Sequence, residues 1–208
     1  MEEKKTPANS RGRPREFSED DALDAAMKVF SMKGYQTTSL TDLTEGMRIN
    51  RVSLYSTFGN KEALFMKAMT RYLEMGNRRF TECLAAPTAR EGIEKLLVEG
   101  VLMFTSEDGP GVCFITQGPL SPSDASDETC RFVAEKRSDI ELMIKNRLDQ
   151  GAAAGEFETV VFTADLARYF AVSVQGLALQ AQHGGTRAEL LRVVDLMMGA
   201  IGPRMSWI

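Results

Sequence analysis

The sequence is poor in the residue types that build metal sites and disulfide frameworks. Its 208 residues include one histidine, His183, and three widely separated cysteines, Cys83, Cys113 and Cys130, without a Cys-x-x-Cys pair. These scarcities argue against a multi-histidine metal site, a histidine-based catalytic triad, a zinc finger and a disulfide framework. They are typical of a reducing compartment, so we expect a cytoplasmic protein with no metal ion and no other cofactor.

Enzyme motifs and membrane segments are also missing. The sequence has no glycine-rich phosphate loop, no His-Glu-x-x-His and no Gly-x-Ser-x-Gly, so we expect no enzymatic activity. No apolar stretch follows the N-terminal residues, so we expect no signal peptide. The longest charge-free run, 169–186, contains three glutamines and a histidine and is too polar for a membrane span.

Charge is unevenly distributed along a chain whose formal net charge is −4. Residues 4–15 contain five basic residues and no acidic one, whereas the excess of acidic residues lies in 63–208. Such asymmetry is typical of proteins that contact nucleic acid, and a solvated tail explains it equally well. Because residues 1–15 have almost no apolar side chains, we expect them to form a flexible basic arm.

Helical periodicity covers the rest of the chain, and no segment keeps the alternation of a β-strand. Serine or asparagine precedes several apolar stripes and predicts where helices begin, as at Ser18, Ser39 and Asn50. The sequence therefore predicts an all-α protein of about nine helices. We expect a three-helix head at 16–62 and a larger helical body at 63–208.

Two short helices with a tight turn between them are predicted within 39–61. The four-residue spacing of Leu54 and Phe58 turns both side chains inward, which leaves Arg51 and Tyr55 facing outward. An outward tyrosine among serine, threonine and arginine suits a surface that binds phosphates and contacts base edges. The pattern is typical of a helix-turn-helix, whose second helix lies in the DNA major groove.

Three features of residues 17–65 occur together: the apolar pattern of 22–30, Lys-Gly-Tyr at 33–35, and Leu-Tyr-x-x-Phe-x-x-Lys-Glu-x-Leu beginning at residue 54. With these features, residues 17–65 resemble the DNA-binding head of the TetR family of bacterial transcriptional regulators. The sequence departs from the family at Arg48, since glycine usually occupies this position in the turn. If the position needs a positive φ, a residue with a side chain strains the turn; Arg48 could also contact a phosphate.

The resemblance implies a transcriptional repressor that binds a palindromic operator in double-stranded DNA as a homodimer. It places Arg51 opposite a base, with guanine as the expected contact. Residues 11–14, Arg-Gly-Arg-Pro, resemble an AT-hook that enters the minor groove; the alternative is a tail that neutralises phosphates. The residues expected to contact DNA are Arg11, Arg13, Arg15, Thr41, Arg48, Asn50, Arg51, Val52, Ser53, Tyr55, Thr57 and Lys61.

The resemblance also implies that the body forms a ligand-binding and dimerisation domain. A small apolar or aromatic effector would bind there and release the DNA, and the alternative for its liners is ordinary core packing. The candidate pocket residues are Leu97, Met103, Phe104, Cys113, Phe114, Gln117, Phe132, Met143 and Tyr169. The candidate dimer-interface residues, on the last two helices, are Tyr169, Val174, Leu177, Ala178, Leu190, Val194, Met197 and Ile201.

Two alternatives stay open at this point. A regulator could sense oxidants or electrophiles through Cys113 or Cys130, and Arg131 would lower the pKa of the Cys130 thiol if the two side chains were close. A helical adaptor that binds no DNA would keep the fold, but it leaves the basic arm and the outward Tyr55 unexplained.

Overall fold

The computed structural model describes residues 18–106, 113–119, 123–157 and 162–201. These ranges contain helices and turns but no β-strand, which confirms the predicted all-α class. None of the helices in them combines the length and apolarity of a transmembrane span. Two short 3-10 helices, Phe114–Gln117 and Gly199–Ile201, accompany eight α-helices: α1 Glu19–Lys33, α2 Leu40–Met47, α3 Arg51–Phe58, α4 Lys61–Leu84, α5 Ala89–Phe104, α6 Asp127–Ala153, α7 Thr163–Gln182 and α8 Arg187–Met198.

Polar side chains cap the two short helices of the head. Before α2, the Ser39 hydroxyl accepts from the Asp42 amide at 3.1 Å, and the Asp42 carboxylate accepts from the Ser39 amide at 2.8 Å. Before α3, the Asn50 side-chain oxygen accepts from the Ser53 amide at 2.8 Å. Eight-residue helices are too short to be stable alone, so these caps and the packing beneath them determine where each helix begins.

Arg48 occupies the turn between α2 and α3 in a left-handed conformation, with φ 55° and ψ 38°. Its amide donates to Glu45 O at 3.2 Å, and the next amide, of Ile49, donates to Thr44 O at 3.1 Å. The turn therefore has the positive φ that the family's usual glycine would adopt without strain. Arg48 adopts it with a side chain, at a steric cost.

An aromatic cluster joins the head to the body. Phe65 of α4 is fully buried, and its ring centroid lies 5.2 Å from that of Phe30, 4.9 Å from Tyr35 and 5.1 Å from Phe114. Phe30 and Tyr35 belong to the head, whereas Phe114 belongs to the first 3-10 helix of the body. The predicted domain boundary after residue 62 falls in the first turn of α4, a helix that therefore serves both parts.

Helix α5 is the centre of the body, and α8 is tied to both of its ends. Arg90, in the first turn of α5, donates to Met198 O and Ile201 O at 2.9 Å each. Arg187, at the start of α8, donates to Thr105 O at 3.2 Å, just beyond the end of α5. The two helices are therefore antiparallel and held against sliding along their axes.

A third arginine ties α6 to the far end of α4. Arg147 is buried, and its guanidinium donates to Leu84 O at 2.9 Å and to Ala86 O at 3.2 Å. Glu156 lies 3.5 Å from the same guanidinium and accepts from the Ala89 amide, which begins α5. The charge of Arg147 is thereby buried with hydrogen-bond partners that include an opposite charge, as a buried cation requires.

The left-handed turn generates a stability prediction. Arg48→Gly should raise the free energy of unfolding by up to about 1 kcal/mol, because glycine adopts a positive φ without steric cost. Arg48→Ala is the matched control, since it removes the same side chain but keeps the Cβ and should give no gain. Urea unfolding of both variants measures the difference, and equal stabilities would contradict the assignment of strain to this turn.

Candidate nucleic-acid interface

Helix α3 presents one buried face and one exposed face. Leu54 and Phe58 are buried in the head, as their spacing predicted. On the opposite side Arg51 is exposed, Val52 is 78% exposed and Tyr55 is 50% exposed. The apolar surface of this valine and tyrosine is not covered within the chain, so this face of α3 is available to a partner.

The exposed face of α3 is joined to α2 through its arginine. Arg51 Nη2 donates to the Thr41 hydroxyl at 3.1 Å, which brings together two of the predicted DNA-binding residues from different helices. A guanidinium has five N–H donors, and one bond to Thr41 leaves it able to make a two-pronged contact with a base. Arg48 is also exposed, at the turn between these helices.

Three other predicted contact residues have roles inside the head. Asn50 caps α3 through the Ser53 amide, and the side chains of Ser53 and Thr57 are half-buried. The carbonyl of Thr57, in the last turn of α3, accepts from Lys67 Nζ of α4 at 3.1 Å. These interactions fix the position of α3, so the roles of Asn50, Ser53 and Thr57 are at least partly structural.

Lys61 begins α4 beside a buried tyrosine. Its ammonium lies 4.5 Å from the centroid of the Tyr35 ring and 3.4 Å from Gln36 O. Burial lowers the pKa of Lys61. Burial also raises the pKa of Tyr35 to about 12, and the nearby carboxylate of Glu62 contributes to the same shift. The cation is held by the fold near the start of α4, where a phosphate contact was predicted.

The structure adds residues that sequence reasoning missed. Lys67 supports the end of α3, and Lys33 of α1 pairs with Asp42 of α2 at 2.5 Å. The hydrogen bond from Lys33, followed by those from Ser39, holds the pKa of Asp42 well below its usual range. No local motif marks these contacts, because each joins residues about ten positions apart on different helices. The predicted arm residues Arg11, Arg13 and Arg15 lie outside the described ranges.

Comparisons with known proteins identify the family. The profile described as "Bacterial regulatory proteins, tetR family" matches residues 22–68. The HTH-type transcriptional repressor ComR of Escherichia coli (strain K12) is 32% identical over 193 residues, which cover 88% of this chain and 89% of ComR. The chain belongs to the TetR family. It is a DNA-binding transcriptional regulator, which goes against the adaptor alternative.

Solved structures agree with this TetR-family assignment. A cysteine mutant of the TetR family transcriptional regulator CifR, complexed with a 26-base-pair operator DNA, superposes with a TM-score of 0.84. It is 36% identical in sequence, and the match covers 91% of this chain and 100% of that one.

A second sequence relative agrees as well. The uncharacterised HTH-type transcriptional regulator YezE of Bacillus subtilis (strain 168) is 31% identical, and the match covers 91% of this chain and 99% of YezE.

The predicted effector-pocket residues of this TetR-family regulator divide by burial. Leu97, Phe104, Cys113 and Phe114 are buried, Tyr169 is exposed, and the remaining predicted liners, Met103, Gln117, Phe132 and Met143, are half-buried. Two open grooves of about 770 and 620 Å³ lie elsewhere in the described body, and none of the nine residues lines either. The effector site therefore stays a prediction.

The cysteines form no disulfide in the described chain, and the environment of Cys130 differs from the prediction. Burial and the carboxylates of Asp124, Asp127 and Glu62 raise the pKa of Cys130. Arg131 instead donates to Asp127 O at 3.2 Å, so the close Arg131–Cys130 pair on which a lowered pKa of Cys130 depended is not formed.

Cys113 does not have an activated thiol either. It is buried beside Tyr72, and burial raises the pKa of its thiol. Reactive cysteines have a lowered pKa and access to solvent, so neither cysteine has the environment of a reactive thiolate.

Most of the predicted dimer-interface residues of α7 and α8 are packed inside the chain itself. Tyr169 is exposed and Met197 is half-buried, but six of the predicted interface residues are buried in the core of the chain itself. These six are Val174, Leu177, Ala178, Leu190, Val194 and Ile201. Both helices have apolar side chains on two faces, and periodicity alone did not show which face packs inward.

The exposed face of α3 generates a specificity prediction. Arg51→Ala should relax base preference at one position of each half-site by about 1–3 kcal/mol, because a two-pronged contact to guanine is lost. Arg131→Ala, which removes an exposed arginine of the body, is the control. Competition binding with single-base operator variants measures the effect. A uniform loss of affinity with a reduced salt dependence would instead mark Arg51 as a phosphate contact.

Proposed function

We propose that this chain is a homodimeric repressor that binds a palindromic or pseudo-palindromic operator and leaves it when a small apolar or aromatic effector binds the body. The exposed face of α3, with Arg51, Val52 and Tyr55, is the observation that carries the proposal. The operator-bound CifR mutant, similar over nearly the whole chain, supports the same mode of binding. ComR, itself named a repressor, supports repression.

The exposed faces of the last two helices support the proposed dimer. On α7, Val172 is 62% exposed, and Leu179 lies two turns further along the same face. Gly176 lies between them, and within the described residues a Cβ added there would meet nothing within 4 Å beyond its own helix. On α8, Leu196 is 79% exposed, with Val193 one turn before it. We infer that a second copy covers these apolar side chains.

A two-fold dimer also explains how a short recognition helix gains affinity. Each eight-residue α3 reaches few bases, and two copies would contact half-sites about 34–36 Å apart on the same side of the duplex. The body would control this separation through α4, which only Gly59 and Asn60 separate from α3. Effector binding that favours a different separation would lower affinity for the operator.

Selection of random duplexes by the purified chain at near-physiological salt tests the proposal. We expect the bound pool to contain a symmetric motif whose two halves are one helical turn apart or a multiple of it. An A·T-rich pool without symmetry would contradict dimeric readout and assign binding to the arm. No enrichment at all would contradict operator binding by the isolated chain.

The dimer interface generates a second prediction. Leu196→Glu should convert the protein to a monomer and lower operator affinity by at least about 100-fold, because the second half-site no longer binds as part of one molecule. Met75→Glu introduces the same charge at another exposed apolar position, on α4, and should leave the dimer intact. Sedimentation and binding curves measure both effects. A dimeric Leu196→Glu variant would exclude this face as the interface.

A further inference from the structure

A polar contact fastens the first turn of α4 to the first turn of α6. The Glu62 carboxylate accepts from the Ser126 amide at 3.2 Å, from the Ser126 hydroxyl, and from the Thr129 hydroxyl at 2.8 Å. Thr129 is fully buried, and Ser126 is the N-cap of α6. We call Glu62, Ser126 and Thr129 the head–body clasp, because Glu62 lies where the head meets α4 and the other two belong to the body.

Helix α6 therefore holds α4 at both ends. The clasp binds the first turn, and Arg147 binds the carbonyl of Leu84 at the last. With a rise of about 1.5 Å per residue, Glu62 and Leu84 are about 33 Å apart along the helix. A rod held at two distant points cannot tilt against α6 unless one attachment breaks or α6 moves with it.

The first 3-10 helix fills the space between these two helices at mid-length. The Phe114 ring centroid lies 5.8 Å from that of Tyr72 of α4, and Ile115 O accepts from Arg137 of α6 at 3.2 Å. The same 3-10 helix reaches the head, since Gln117 O accepts from the Tyr35 amide at 3.1 Å. Displacement of α4 relative to α6 would therefore disturb contacts at the first turn of α4, at its mid-length and at its last turn.

The position of α4 determines the position of α3. Only Gly59 and Asn60 separate the two helices, and Lys67 of α4 donates to Thr57 O in the last turn of α3 at 3.1 Å. A shift in the first turn of α4 would therefore move α3 and its exposed face by a similar amount.

We propose that Ser126 and Thr129 are positioning residues for DNA binding: through Glu62 they fix where α3 stands in each protomer, and so set the half-site spacing that the dimer accepts. This inference rests on the proposed dimeric operator binding. It assigns a role in operator choice to two residues more than 60 positions from the helix-turn-helix.

The test compares operators of different spacing rather than affinity alone. The symmetric motif from the selection experiment is synthesised with its native spacing and with one base pair inserted or deleted at the centre. Thr129→Val removes the hydroxyl but keeps the shape of the buried side chain. Thr163→Val is the matched control, because it removes a Thr–carboxylate bond of 2.6 Å to Asp149 inside the body.

We expect Thr129→Val to lower the preference for native over altered spacing by about threefold to tenfold, as loss of a hydrogen bond to a charged group allows. Thr129→Ser, which restores the hydroxyl, should recover the preference, and Thr163→Val should keep it. A Thr129→Val variant that loses affinity equally for all spacings, or that keeps the wild-type preference, would overturn the inference. Failure of the wild-type chain to select a symmetric motif would instead overturn the proposed function before any variant is made.

Discussion

The packing of Phe65 is the constraint on which the rest of the structure depends. Its ring contacts rings from α1, from the α1–α2 turn and from the first 3-10 helix of the body. Phe65 therefore belongs to the core of the three-helix head and to the core of the body at the same time. A unit of about 45 residues buries a smaller fraction of its surface than a larger domain does, and sharing an aromatic cluster with the body adds to the surface that the head buries. The same sharing makes the orientation of the head depend on the body.

Within the head, local and long-range contacts have different tasks. The caps at Ser39 and Asn50 determine where α2 and α3 begin, and Arg48 determines how sharply the chain turns between them. Contacts from other helices then fix the pair in space: Lys33 holds α2 and Lys67 holds the end of α3. Two of the predicted DNA-contact residues, Arg48 and Asn50, therefore also shape the head, whereas Lys33 and Lys67 support it from outside that set.

Features that depend on local contacts could be predicted from the sequence, whereas features that depend on contacts between distant helices could not. Helix starts were predictable because a cap and its partner are three residues apart. The inward face of α3 was predictable because Leu54 and Phe58 are four residues apart in a helix whose other positions are mostly arginine, serine and threonine. The faces of α7 and α8 were not predictable, since Val172 and Val174 are equally apolar and only the folded chain shows which one is buried. The Glu62–Thr129 hydrogen bond and the environment of Cys130 could not be predicted from the sequence either, because both depend on how α4 packs against α6.

The three arginines that tie helices together share a feature that determines which substitutions their contacts tolerate. Arg90, Arg147 and Arg187 all donate to main-chain carbonyls, at residues such as Leu84, Ala86, Thr105, Met198 and Ile201. A carbonyl is supplied by every amino acid, so substitution at an acceptor position leaves the bond in place as long as the backbone keeps its path. The donors have no such latitude, because no other side chain offers the same planar fork. Tolerance to substitution at these contacts is therefore one-sided: it is high at the positions that contribute only a carbonyl, and low at Arg90, Arg147 and Arg187.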